Sequence, residues 1–348
     1  MIGERIRQAR RMRGMSLRSL AENAGNITAQ AISRYELGED MPSSSVLIRL
    51  ANALHVGTDY FFRTASVQLG EPAFRVHCDL LDRQKQEIES KVVDELERYV
   101  EVEQILDIDV RPQIYEPEAI KEPLTRLEDA ENNAVELRKH WNMGIDPVGD
   151  ITEMLEEHSV RVVFVDADQS FSGCAYRGMP PVIVVNRNHP SDRIRFTLVH
   201  ELGHLVLNFP NDWDDKLREK AADRFAGAFL IPAEVARMEL GNKRSQLSLF
   251  ELMSLRQKYG ISVQALIYRA SDLGIITKTI EGRLWRTLAK AGLKKLELGK
   301  PLEGEMADRH KRLVIRAYTD GVISEAKAAN LLDISIEKFC ELLESTPE

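Results

Sequence analysis

Two short stretches carry side chains able to break a bond: His200-Glu201-Leu202-Gly203-His204 and, close behind it, Glu219-Lys-Ala-Ala-Asp223. On a helix the two histidines stand one turn apart, so both imidazoles leave one face and can converge on a single ion. Glu201 sits beside the first of them, where it can reach a metal-activated water without ligating the metal. A hydrolytic zinc centre takes three protein ligands and keeps one position open. On a second helix the four-residue step puts Glu219 and Asp223 on one face. Glu219 is then the third ligand, and Asp223 accepts a hydrogen bond from the far nitrogen of a ligating histidine. The competing reading is a solvated acidic face paired with Lys216 or Arg224. Against it, Phe225, Ala226, Ala228, Phe229, Leu230 and Ile231 make the end of that helix apolar, which constrains its rotation.

These residues need a scaffold, and the pattern around them supplies one. After Pro147, residues 148–157 read as a helix and 160–165 as a strand of β-branched and aromatic residues. Ser172-Gly173 and the run 178–181 bracket a short strand at 174–176, and Val182-Ile-Val-Val-Asn186 is a second clear strand. Residues 192–207 form the helix that carries the histidines, with Phe196, Leu198, Val199, Leu202, Leu205 and Val206 as its apolar residues. Two further helices, 247–259 and 263–273, are joined by Gly260-Ile261-Ser262, with Ser262 as a cap.

The chain has 348 residues, of which 43% are hydrophobic, enough for two or three domains. No stretch approaches the roughly 18 apolar residues of a membrane span, and the opening MIGERIRQARR lacks the apolar core of a signal peptide, so the expected setting is cytoplasmic and without a membrane. Three scattered cysteines (Cys78, Cys174, Cys340) make neither a disulfide framework nor a Cys-rich zinc site. Any metal is therefore held by histidine and carboxylate. The net charge of -8 excludes a protein that coats nucleic acid throughout. Its distribution is uneven, however: Arg5, Arg7, Arg10, Arg11 and Arg13 face a single acid, Glu4, in the first fifteen residues, whereas residues 79–136 are rich in Asp and Glu. The N-terminal end can meet phosphate and the middle cannot.

Residues 2–12 fit a short basic helix. Ser16 caps a helix at 17–23, Gly25-Asn26 supplies a sharp turn, and Thr28 caps a third helix, 29–37, which Gly38 ends. Pro42 and the serines at 43–45 begin another. Two short helices joined by a tight glycine turn describe a helix-turn-helix. The segment from Leu17 to Phe62, LRSLAENAGNITAQAISRYELGEDMPSSSVLIRLANALHVGTDYFF, resembles the phage-repressor-like (XRE-type) helix-turn-helix family. The resemblance implies double-stranded DNA as partner, with Ala31 and Ile32 inward and Thr28, Ala29, Gln30, Ser33 and Arg34 toward the major groove. Gln30 and Arg34 have planar ends suited to base edges. Such modules bind palindromes as dimers, so a homodimer is implied. The bland alternatives are a dimerisation bundle and an Arg34 solvated beside Glu36 or Glu39.

From 76 to 107 the pattern is a long charged helix whose partial apolar face (Ile88, Val92, Leu96, Val100, Leu106) suits a strut or a dimer contact. Pro112, Pro117 and Pro123 interrupt it, and a helix at 128–141 starts the next domain. Near the C-terminus, residues 322–335 repeat a helix-turn-helix plan with its turn at Asp333-Ile334-Ser335, suited to protein contact or autoinhibition as much as to DNA.

RIRFTLVHELGHLVLN, REKAADRFAGAFLIPAEV and KRSQLSLFELMSLRQKYGISVQALIYRASDLGII resemble the ImmA/IrrE metallopeptidases across about residues 145–275. That family is similar to thermolysin-type zinc proteases in these motifs, and its members commonly cleave a helix-turn-helix repressor. The resemblance implies Zn2+ held by His200, His204 and Glu219, Glu201 as the catalytic carboxylate, and Asp223 behind the ligands, where many members have Asn. It also implies a protein substrate, a repressor or antitoxin-like partner, laid as an added strand along an exposed sheet edge near 174–176. His189, Arg195, Tyr176 and Tyr259 are candidates for the oxyanion donor. The expected architecture is multidomain and mainly α. It comprises an all-α helix-turn-helix bundle (1–66), an acidic helical connector (67–127), an α+β thermolysin-like minimal metallopeptidase domain with a small sheet (128–280) and a helical C-terminal region (281–348). Three functions fit: a DNA-binding regulator with zinc endopeptidase activity, a regulator whose peptidase-like domain senses a signal without turnover, and a toxin-antitoxin fusion.

Overall fold

The computed structural model of the protein describes residues 2–63, 67–73, 81–108, 118–290 and 302–344. In chain order the elements are α1 (Ile2–Met12), α2 (Leu17–Ala24), α3 (Ala29–Leu37) and α4 (Ser44–Leu54), a 3-10 turn (Thr58–Phe62), α5 (Asp82–Ile105), α6 (Glu118–Lys121), α7 (Leu127–His140) and α8 (Ile151–Glu157). Strands β1 (Arg161–Val165), β2 (Gly173–Tyr176) and β3 (Val182–Asn186) follow. Then come α9 (Ser191–Val206), α10 (Asp215–Leu230), α11 (Ala233–Leu240), α12 (Leu249–Tyr259), α13 (Val263–Asp272) and α14 (Lys278–Lys290). The chain closes with α15 (Asp308–Thr319), α16 (Glu325–Leu332) and α17 (Ile336–Glu344). The protein is mainly helical, with a helix-turn-helix bundle first, one small mixed sheet flanked by helices, and a helical C-terminal region. No described helix is long and apolar enough to cross a membrane. Two compact units form, one from residues within 1–69, 77–109 and 310–348, the other from residues within 70–76 and 110–309.

Local chemistry sets the helix boundaries of the first unit. The Ser16 hydroxyl accepts from the Ser19 amide and the Thr28 hydroxyl from the Ala31 amide, satisfying donors that the helix cannot. Gly38 ends α3 in the left-handed conformation, φ +74°. Ile6, Leu20, Ile32, Leu50, Leu54 and Phe61 form the core of the bundle. Helix α5 is no free strut: Ile88, Val92 and Leu96 are buried, and Tyr99 and Val102 pack with Val314, Ala317, Ala328, Leu331 and Phe339 of the C-terminal helices. The N-terminal arginines also depart from expectation. Arg5 pairs with Glu97 (2.5 Å), Arg10 with Glu36 (2.6 Å), and Arg7 and Arg13 donate to the carbonyls of Glu36 and Leu54. Partners distant in sequence take up charge that composition alone assigned to phosphate.

In the second unit β3 is the central strand, parallel to β1 (Val163 opposite Val184) and antiparallel to β2 (Cys174 opposite Val184). All five β3 residues are buried, as an unbroken β-branched run in a covered strand requires. The outer edge of β2, expected to be exposed, is covered by the chain itself. The Ala73 amide donates to the Ala175 carbonyl (2.8 Å), the Arg177 amide donates to the Glu71 carbonyl (2.8 Å), and Pro72 bridges Tyr176. A bare strand edge exposes main-chain donors and acceptors, and this short segment pairs two of them, at Ala175 and Arg177. Arg195 fastens α9 to its surroundings by donating to the carbonyls of Val148, Gly149 and Gly260 and pairing with Glu305. The second oxygen of Glu305 accepts from the amides of Ile151 and Thr152, the open N-terminus of α8.

In the first unit His310 stacks on Tyr99 (5.0 Å between ring centroids), and its Nε2 is shut from solvent with no hydrogen-bond partner among the described residues. Burial, with the nearby Arg98 charge, pushes its pKa down to about 4. The neutral ring is the folded form, so its contribution to stability is full above pH about 6.5 and declines as the pH falls toward about 4. Thermal unfolding at pH 7 and pH 5 is expected to show a loss on the order of 1–2 kcal/mol from this group. His310→Phe, which keeps the stack and cannot protonate, removes that part of the loss. Equal losses in the two proteins would contradict the assignment.

Candidate metal centre

The site depends on how closely α9 and α10 approach. Gly203, between the two histidines, faces α10: a Cβ built on it would lie 3.1 Å from Phe225 Cδ1 and 3.5 Å from the Ala222 Cα. Small residues at that crossing (Gly203, Ala222, Ala226) let the helices meet, with Leu198, Leu202 and Phe225 buried around them. The crossing carries Glu219 to the histidines. His204 Nε2 lies 3.1 Å from His200 Nε2 and 3.0 Å from Glu219 Oε1, and His200 Nε2 lies 3.5 Å from Glu219 Oε2. Among the described residues, these three form the one group whose donor atoms converge for a metal, all within 4.8 Å of one another.

The donor set fits zinc. Tetrahedral ligands at bond lengths of about 2.0 Å stand about 3.3 Å apart, the spacing seen here, and two imidazoles with one carboxylate leave a fourth position open. Asp223 Oδ1 lies 2.9 Å from His200 Nδ1. A carboxylate there holds the proton on Nδ1 and leaves the Nε2 lone pair for an ion. Of the two alternative partners, Lys216 and Arg224, the latter is otherwise engaged, pairing with Glu128 and Glu131.

Electrostatics without an ion point the same way. Burial works against charge on His200, yet the hydrogen bonds it donates to Asp223 and Glu219 outweigh it and raise its pKa to about 10. Burial likewise opposes ionisation of Glu219, and its contacts with both histidines reverse this and hold it well below the usual carboxylate range. The pocket is built for one added positive charge. Glu201 is buried beside it, and desolvation raises its pKa although the histidines pull the other way. A raised pKa suits a carboxylate that must take up a proton and release it again.

Strand β2 lies along this helix. A Cβ on Gly173 would come within 2.7 Å of Thr197 Cγ2 and 3.6 Å of Glu201 Cγ, so a bare glycine brings the strand against α9. At its other end Arg177 donates to the carbonyls of His204 and Leu205, closing the C-terminus of α9. Gly173, Arg177 and Glu305 belong to no motif in the sequence, where Ser172-Gly173 is legible only as a turn. Three oxyanion candidates have other commitments: Arg195 as above, His189 against the Phe171 carbonyl, and Tyr259 against Glu239. Tyr176 is buried within β2.

The DNA-facing candidates lie on α3 and its cap. Thr28, Gln30 and Arg34 are exposed, Ala29, Ala31 and Ser33 are partly buried, and Ile32 is in the core. Arg34 pairs with Asp40 at 3.2 Å. Both side chains are more than half exposed, and such a pair is weak enough to exchange for a base or phosphate.

Residues 155–271 match the family described as the IrrE N-terminal-like domain, a peptidase family, and residues 6–61 match a helix-turn-helix family. The chain thus fuses an N-terminal helix-turn-helix domain to an IrrE/ImmA-like peptidase domain. It is 37% identical over 76 residues to an uncharacterised HTH-type transcriptional regulator, y4aM, of Sinorhizobium fredii (strain NBRC 101917 / NGR234). That match covers 20% of this chain and 52% of the relative, so the chain spans about half the length of the curated relative it matches. Among solved structures it is similar to ComR from S. thermophilus in complex with DNA and its signalling peptide ComS, at 13% identity over 99% of this chain and 95% of that one, with a TM-score of 0.19. An apo form of ComR gives 14% identity over 95% and 98%, with a TM-score of 0.17. At such scores neither overlay carries a structural argument.

The hydrogen bond behind His200 yields a direct test. Asp223→Ala is expected to weaken zinc affinity about 10- to 100-fold, while Asp223→Asn, which still offers an oxygen to Nδ1, retains most of it. Competition with a chromogenic chelator measures both; equal affinity in Asp223→Ala and wild type would remove Asp223 from the centre.

Proposed function

We propose that this protein is a DNA-binding regulator whose IrrE-like domain is a zinc endopeptidase acting on a repressor or antitoxin-like protein. The observation that carries the proposal is the convergence of His200, His204 and Glu219 with Glu201 buried alongside. In this reading the three converging groups are the ligands, and a bound zinc ion supplies Lewis acidity to the scissile carbonyl and acidity to a water. Glu201 takes the proton from the attacking water and delivers it to the leaving amine, serving as base and then as acid. Asp223 keeps His200 in the ligating tautomer. The apolar residues on α9 and α10 bury Glu201 and His204, and charge interactions at those two groups are strengthened. An extended substrate lies along β2, whose Gly173 end adjoins Glu201. The helix-turn-helix domain reads DNA through Gln30 and Arg34, as a homodimer on a palindromic site.

Glu201→Gln separates the two roles of the site. It is expected to retain one zinc per chain while cleavage of repressor-like proteins encoded beside the gene falls by roughly 10³-fold or more. Wild-type protein that holds zinc and binds DNA yet cleaves no such candidate would favour a signal-sensing domain without turnover. Freshly purified wild type without zinc would sink both zinc-based readings.

The DNA reading is tested separately, on a site selected from random duplexes. Gln30→Ala and Arg34→Ala are each expected to cost about 1–3 kcal/mol on that site and little on unrelated DNA. Uniform weakening on every sequence would demote both residues to backbone contacts.

A further inference from the structure

The 175–177 end of the β2 edge that a substrate strand would use is already paired, and the partner belongs to this chain. We propose that the segment Gly70–Ala73 is a resident strand on the docking edge of the peptidase unit, one that an extended protein substrate must displace before it reaches Glu201. The inference rests on the peptidase reading above and adds to it how access is controlled.

Three observations carry it. First, the pairing is antiparallel and made by main chain, with Ala73 donating to Ala175 and Arg177 donating to Glu71, each at 2.8 Å, on either side of the Pro72–Tyr176 bridge. This is the bonding an incoming peptide strand would make, so the two compete for the same donors and acceptors. Second, the fit at Gly70 is flush. A Cβ there would fall 1.2 Å from the Arg177 carbonyl oxygen and 3.0 Å from the Gly178 Cα, both backbone atoms that cannot swing aside. Third, the covered stretch lies on the strand that spans the catalytic helix, from Gly173 at Glu201 to Arg177 at the carbonyls of His204 and Leu205. Ala73 adds an apolar contact with the core of the unit.

Pro72 lacks an amide hydrogen at the point where a further strand would seek a donor, so the sheet stops at the resident segment. Because the segment is part of the chain, it competes at an effective concentration on the order of millimolar. A free peptide at micromolar concentration therefore loses to it. Release requires a substrate of higher affinity or an event that draws the segment away.

The test uses the full chain in a Glu201→Gln background, with a fluorescent heptapeptide of the sequence Val67–Ala73 as probe. Gly70→Val expels the resident strand by steric contact, and Ala73→Pro removes its amide donor. Each is expected to bind the peptide at least tenfold more tightly than the Glu201→Gln parent, with faster hydrogen exchange at the Arg177 amide. A variant that fails to fold gains no affinity, so misfolding cannot imitate the result. Unchanged peptide binding in both variants, with melting temperatures near that of the parent, would overturn the proposal, as would an Arg177 amide still protected after Gly70→Val. Zinc measured on the same samples keeps the two readings apart: a gain in peptide binding without bound zinc supports the resident strand and overturns the peptidase.

Discussion

The crossing of α9 and α10 is the constraint on which the rest of the second unit depends. Three ligand-type atoms must stand about 3.3 Å apart to share a small cation, and helices with larger side chains at the contact could not bring Glu219 that close. Gly203 removes the obstacle on one side, and Ala222 and Ala226 on the other. Burial of Leu198, Leu202, Phe225 and Phe229 then holds the two helices in that relation, and Arg195 with Glu305 ties the start of α9 to the start of α8. Two imidazoles meet nitrogen to nitrogen at 3.1 Å, with one buried carboxylate, Glu201, and one partly exposed carboxylate, Glu219, beside them. Packing of the apolar faces holds this arrangement together, and a bound cation would share its three donors.

How much of this was legible depends on how local each cause is. The caps Ser16 and Thr28 and the stop at Gly38 act within four residues, and the bounds of α3 agree with expectation to the residue. The run Val182–Asn186 is a strand at the expected positions because its composition permits little else. The convergence of His200 and His204 follows from helical pitch. Glu219 also follows, provided its helix packs against the first, and the apolar tail at 225–231 gave grounds for that.

What was illegible is non-local. Glu305 reaches Arg195 across 110 positions with no motif to announce it. The segment Glu71–Ala73 has the composition of a linker, and only the fold reveals that it pairs with β2. Helix α5 shows the same limit from another side. Its stripe of Ile88, Val92 and Leu96 demands cover, but hydrophobic periodicity does not say whether the cover is another copy or another part of the same chain. Here the C-terminal helices cover its far end through Tyr99 and Val102.

Charge composition misled for a related reason. Five arginines in fifteen residues suggest a phosphate-binding face, yet Arg5, buried, and Arg10, partly buried, are paired with the buried Glu97 and Glu36. Removing one partner from such a pair strands the other and costs about 3–5 kcal/mol. Those arginines cannot leave their carboxylates for DNA without unfavourable cost to the bundle. Arg5 also links α1 to α5, and Arg10 links α1 to α3, so the two pairs hold α1 between α5 and α3. In the proposed reading, the side chains free to meet DNA are those the core does not need: Gln30, exposed, and Arg34, paired with an exposed Asp40. In this chain the basic residues that look most like a DNA surface serve as scaffolding, and their confinement is what presents the two planar side chains of α3 to solvent.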